Sequence, residues 1–198
     1  MADAYASEHV GGARHTVRME KPLPTMDDVL LAYFGAEYDN STGVLRKRIV
    51  RVDKLLRQYL ESEPDTFLGP YGRAILNAER EFGSKGAVCR IMRADTLLFA
   101  LQRFIEPPHL DPDPLLQRVQ LQCVERLIAR LVRVELAEYD TTCVQWDLTG
   151  ALRRAKWELN RERREAARAR RQAQRDDEMR AGADQYPGTL GARRALGG

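Results

Sequence analysis

Leu45, Ile49, Val52, Leu56 and Leu60 recur at spacings of four and three, the interval that gathers side chains on one face of an α-helix. A strand requires an interval of two, and no stretch of the chain sustains one. The helical period returns along the sequence. Thr25 or Asp27 caps a first helix carrying Val29, Leu30, Tyr33 and Phe34, which ends at the Asp39-Asn40-Ser41 turn. The second helix covers 43–61 and stops before Pro64. A third sets Tyr71, Ile75, Ala78 and Phe82 on one face and ends at Gly83. Ala87, Ile91, Ala94, Leu98, Leu101 and Ile105 form the next stripe. After a stiff, extended Pro-rich connector over 106–114, Asp113 is the expected N-cap and Pro114 the first residue of a helix reaching about Tyr139.

A last helix is expected from Asp147 or Thr149, docking through Leu148, Leu152, Ala155, Trp157 and Leu159. Beyond Asn160 its apolar residues are alanines and Met179, so it is expected to leave the body there. The predicted fold is all-α. A compact bundle of five or six helices fills 25–160, with a flexible N-terminal arm over 1–24, a protruding basic helix over 161–181 and a disordered tail over 182–198.

Composition narrows the setting. No run of 18 apolar residues exists to span a bilayer, and the N-terminus lacks the apolar core of a secretory signal. Cys89, Cys123 and Cys143 are odd in number and far apart, which argues for a reducing, cytoplasmic compartment and for cysteines used as small core residues. Arginine outnumbers lysine 27 to 5, a bias that a GC-rich genome produces unaided, so arginine alone is weak testimony for phosphate binding. The distribution says more than the total. Residues 1–110 carry 15 basic and 15 acidic side chains, 111–145 carry 4 and 6, and 146–198 carry 13 and 8, so the excess sits at the C-terminal end.

Three stretches are candidates for nucleic-acid contact. Residues 78–93 read as a helix-turn-helix corner: a helix ending at Phe82-Gly83, Ser84 as cap, then a short helix with Val88 and Ile91 inward. Ser84, Lys85, Cys89, Arg90 and Arg93 would face outward, with Lys85, Arg90 and Arg93 on the groove side. The adjacency of Gly83 and Ser84 departs from the usual pattern, which has an apolar residue between them; the competing reading is an ordinary bundle corner. On the second helix Arg46, Lys47, Arg51, Lys54 and Arg57 share one strip, and Lys47, Arg51 and Lys54 would follow a phosphate backbone unless acidic partners on another helix claim them. In 161–175, seven arginines stand against Glu162 and Glu165; Arg161, Arg164, Arg168 and Arg171 are the candidates there.

For enzyme chemistry the sequence offers little. There is no phosphate-binding glycine loop. His9, His15 and His109 fall in the arm and the connector, and no Cys or His pair has metal-ligand spacing, so neither a cofactor nor a metal is expected. Asp95 falls within an apolar stripe. It either caps a new helix starting at 95, joins a buried ion pair, or serves as a catalytic carboxylate. The expected function is a non-enzymatic nucleic-acid-binding protein, most directly of double-stranded DNA. The alternative is a helical adaptor whose charged arm meets an acidic protein surface; no membrane partner is expected, and self-association stays open.

Overall fold

Thr25 and Asp28 close the first turn of the molecule on each other. The Thr25 hydroxyl accepts the Asp28 amide at 3.2 Å, and the Asp28 carboxylate accepts the Thr25 amide at 2.9 Å, a reciprocal capping box that starts α1 (Met26–Asp39). The computed structural model describes residues 24–133 and 142–185. It continues through α2 (Gly43–Ser62), a 3₁₀ turn (Pro64–Thr66), α3 (Pro70–Phe82), α4 (Ala87–Ile91), α5 (Thr96–Phe104), α6 (Pro114–Arg133) and α7 (Thr142–Gln185). The fold is all-α, with no strand among the described residues; an isolated bridge joins Thr25 to Arg93.

α1, α4 and α6 pack around α2, and α7 lies on α5 and α6. Met26, Leu30, Leu56, Leu60, Leu97, Leu101, Phe104, Leu121 and Leu127 are fully buried where these helices meet. Polar ties fix their order. Tyr33 donates from its hydroxyl to the Cys123 carbonyl at 2.8 Å, tying α1 to α6. Arg57 of α2 bridges Asp27 of α1 at 2.6 Å and its own Asp53 at 2.9 Å. The Met26 amide reaches the Met92 carbonyl and the Ala94 amide the Pro24 carbonyl, so the chain entering α1 is laced to the turn between α4 and α5.

The stripe expected over 87–105 is two helices, divided as the Asp95 reading anticipates. Asp95 stands at the N-cap of α5 by position only: its side chain makes no capping bond to the backbone and instead lies 3.5 Å from the Thr96 hydroxyl. Asp113 caps α6 through a 2.9 Å bond from the Leu115 amide, with Pro114 in the first turn as expected.

Several expectations need correction. Leu45, counted in the α2 stripe, is exposed. α7 begins at Thr142, earlier than expected, and stays helical to Gln185, four residues into the tail expected from 182. The connector is pinned rather than merely stiff. Gln120, fully buried on α6, accepts the Asp111 amide and donates to the carbonyls of Phe104 and His109. The His109 ring lies 3.3 Å from Glu63 and packs on Tyr59. The arm expected over 1–24, apart from Pro24, the continuation of α6 to Tyr139, and the tail beyond 185 lie outside the described residues. Among the described residues no helix is long and apolar enough to cross a membrane.

Candidate nucleic-acid interface

The corner at Gly83 does not present a recognition helix. α4 is five residues long, and Ala87, Val88 and Cys89 are all in the core, so Arg90 is its one exposed residue. Cys89, expected to point outward, is buried, and that burial pushes its thiol up to about 12. Arg90 braces the corner instead. It pairs with Glu79 at 3.2 Å, donates to the Gly83 carbonyl at 2.8 Å and closes onto the Lys85 carbonyl, drawing the end of α3 against the start of α4. The adjacency of Gly83 and Ser84 accounts for this: with no apolar anchor between the helices, a guanidinium supplies the tie. Arg93 stands in the bridge to Thr25 with Nε and Nη2 buried, so it too faces the body. Of the three groove-side candidates, Lys85 and Arg90 are exposed, Arg90 while engaged at the corner, and Arg93 is half-buried.

The strip on α2 is mostly engaged in folding. Arg46 donates to the carbonyls of Ser41 and Tyr38 and lies over the Tyr38 ring at 4.5 Å. Arg51 pairs at 3.0 Å with Asp111, whose side chain is 6% exposed, and Arg57 holds its two aspartates. The carboxyl of Asp53 is raised by desolvation, against which the Arg57 charge works. Lys47 and Lys54 remain exposed, without an ion pair among the described residues.

α7 is different. Leu148, Ala151, Leu152 and Leu159 are buried and dock it; from Asn160 to Ala181 every side chain except Asp176 is exposed. Alanine, arginine, glutamate and glutamine are good helix formers, and Arg161–Glu165, Gln172–Asp176 and Gln174–Glu178 link successive turns. The charges are sorted around this helix. At about 100° per residue, Arg153, Trp157, Arg161, Arg164, Arg168, Arg171 and Arg175 all fall within about 60° of Trp146, while Glu158, Glu162 and Glu165 fall at about 100–160°. Trp146 is 74% and Trp157 61% exposed, so Trp157, expected to dock the helix, belongs to the outer row. The Arg161 guanidinium lies over the Trp157 ring at 4.9 Å. Arg164, Arg168 and Arg171 have no carboxylate within ion-pair distance among the described residues.

The two tryptophans are what the sequence reading missed, and the signal was available. Leu148, Leu152 and Leu159 fall at about 200–240° from Trp146, opposite Trp157. Burial raises the Cys123 thiol to about 11, leaving it protonated at neutral pH, and Cys143, expected in the core, is exposed. No group of three His, Cys, Asp or Glu is placed to hold a metal ion among the described residues. Comparison with protein-family models, with curated proteins and with solved structures finds no match.

Proposed function

We propose that this protein is a non-enzymatic nucleic-acid-binding protein that holds double-stranded DNA along the arginine row of α7. The observation that carries the reading is the sorting of charge: Arg161, Arg164, Arg168, Arg171 and Arg175 line one face, with Glu158 and Glu162 off it and Glu165 at its edge, paired with Arg161. From Arg161 to Arg175 the row runs about 21 Å, at 1.5 Å per residue. A helix of this thickness fits the major groove, which is about 12 Å wide, and from there its arginines reach the phosphates of both strands. Phosphate contact of this kind positions the protein without reading sequence. Lys47, Lys54 and Lys85 would add long-range attraction; Arg90 and Arg93 belong to the corner's own structure, and Arg51 to the tie with Asp111.

Fluorescence anisotropy with a 20-base-pair duplex tests this. Five phosphate contacts give a salt slope near −4.5, so affinity falls roughly 500-fold between 50 and 200 mM salt. The triple variant Arg164→Ala/Arg168→Ala/Arg171→Ala leaves two contacts and lowers that fall to roughly tenfold. No detectable binding at 50 mM salt refutes the proposal and moves the adaptor reading ahead.

A further inference from the structure

α3 packs inside out. Its one buried residue is Leu76, at 1% exposure, whereas Tyr71 is 81%, Ile75 40% and Phe82 89% exposed, and Ala74 and Ala78 lie in the open between them. The stripe expected to face the core therefore faces outward, with the 4-3-4 spacing of a coiled-coil seam. Monomeric proteins seldom leave a helix face of this kind uncovered. We propose that it is a self-association surface, on which a second copy of this chain lays its own α3 antiparallel.

The arrangement of residues along the helix favours a second copy over any other occupant. In an antiparallel pair centred between Leu76 and Asn77, Tyr71 meets the partner's Phe82 and Ile75 meets the partner's Ala78. Every layer of the seam is then filled, with aromatic pairs at both ends and a narrow waist between. The rim agrees. Glu81 falls opposite the partner's Ala74, and Glu79, already held by Arg90, opposite the partner's Gly72, so no like charges meet. Arg73 and Arg80 point away from the seam.

Area fits a modest dimer. With about 200 Å² for each aromatic side chain, the exposed parts of Tyr71 and Phe82 give roughly 350 Å² per copy. Two copies, with Ile75 and the alanines added, approach about 1,000 Å², the lower bound of a specific interface. The dimer is therefore expected at micromolar concentration.

Sedimentation equilibrium on the full chain, from about 1 to 200 μM, tests the proposal. The intact protein should pass from monomer to dimer across that range. Phe82→Glu should weaken the dimer more than roughly tenfold with an unchanged circular dichroism spectrum, because Phe82 contributes nothing to the monomer core. Ala74→Lys, which places a cation opposite the partner's Glu81 at two symmetry-related points, should tighten it about fivefold. Adding Glu81→Lys should abolish that gain. A monomer at every concentration overturns the proposal and leaves the face to another partner. A dimer indifferent to Phe82→Glu places the contact elsewhere, and an Ala74→Lys gain that survives Glu81→Lys overturns the antiparallel register.

Discussion

Gln120 is the one fully buried polar side chain among the described residues, its hydrogen bonds all go to the backbone of the connector and of the end of α5, and its removal gives the strongest stability prediction. Its Oε1 accepts the Asp111 amide at 3.2 Å, and its Nε2 donates to Phe104 at 3.1 Å and to His109 at 3.0 Å. Gln120→Met keeps the volume and deletes all three bonds. Each neutral bond contributes about 1 kcal/mol, and each backbone group left dry and unpaired adds to that, so the expected loss is about 3–5 kcal/mol. That is a fifth or more of the stability of a typical domain, about 5–15 kcal/mol.

Urea denaturation followed by circular dichroism reads the effect. With a slope of about 2 kcal/mol per molar, the midpoint should fall by about 1.5–2.5 M. Gln122→Met, two residues away and exposed, is the control and should leave the midpoint in place. A fall of less than about 0.5 M in Gln120→Met at unchanged slope would refute the reasoning, because the connector would then be held without its clasp.

Three further outcomes follow from the same geometry. Arg57→Ala breaks the bridge to Asp27 and Asp53 and should cost about 2 kcal/mol at neutral pH by urea denaturation. The carboxyl of Asp53 is already raised by burial and rises further without its cation. Folding then takes up a proton, so the variant's stability should fall as pH rises from the unfolded carboxyl's value of about 3.9 through the raised folded one, and the deficit should shrink on acidification. Thr25→Ala removes half of the capping box and should lower stability by about 1 kcal/mol. Asp28 is held low by the Thr25 amide and, second, its hydroxyl, so its contribution is present at neutral pH and lost on acidification through its lowered value; in Thr25→Ala the acid limb of a pH titration should lose the hydroxyl's share and keep the larger share from the amide. Truncation after Asn160 removes 10 basic and 6 acidic side chains, taking the net charge from +3 to −1 (3 − 4). Since Leu159 is the last buried residue of α7 among those described, the melting temperature should move by no more than about 2 °C while duplex binding is lost; a large drop would show the arm packing back on the body.

How far the sequence could be read depended on whether a local rule decided the outcome. The capping residues Thr25 and Asp113, and the break near Asp95, are local: a side chain two or three residues away, or a buried charge the stripe cannot tolerate, settles each. Helical period located α1, α2 and α6 for the same reason. What period cannot say is which surface will cover a stripe. On α3 the apolar face was legible, yet the residue that became buried was Leu76 on the other side, and the stripe stayed outside. Gln120 was hidden for a related reason. Surrounded by Leu116, Val119, Leu121 and Val124, it sits where an apolar residue is expected, and its partners are carbonyls and an amide that carry no side-chain signature.

The arginines show the same limit from the polar side. Counting them singled out the corner, the α2 strip and α7 alike, and composition bias rendered all three equally weak. Their separation comes from where carboxylates and carbonyls lie in space: Arg90 has Glu79 and two carbonyls around it, Arg51 has Asp111 sixty residues away, and Arg57 has two aspartates. Those partners neutralise the charge that a phosphate would have to replace, so recruiting any of these residues to DNA would cost the fold a tie it uses. Arg164, Arg168 and Arg171 carry no such debt. Their glutamates are on the helix's other flank, a sorting visible in the sequence once positions are placed on the wheel rather than summed. A row that folding does not need, held rigid by i to i+4 links and exposed along its whole length, is free to meet an anionic polymer at full charge; that freedom, more than the number of arginines, is the physical ground for placing the interface on α7.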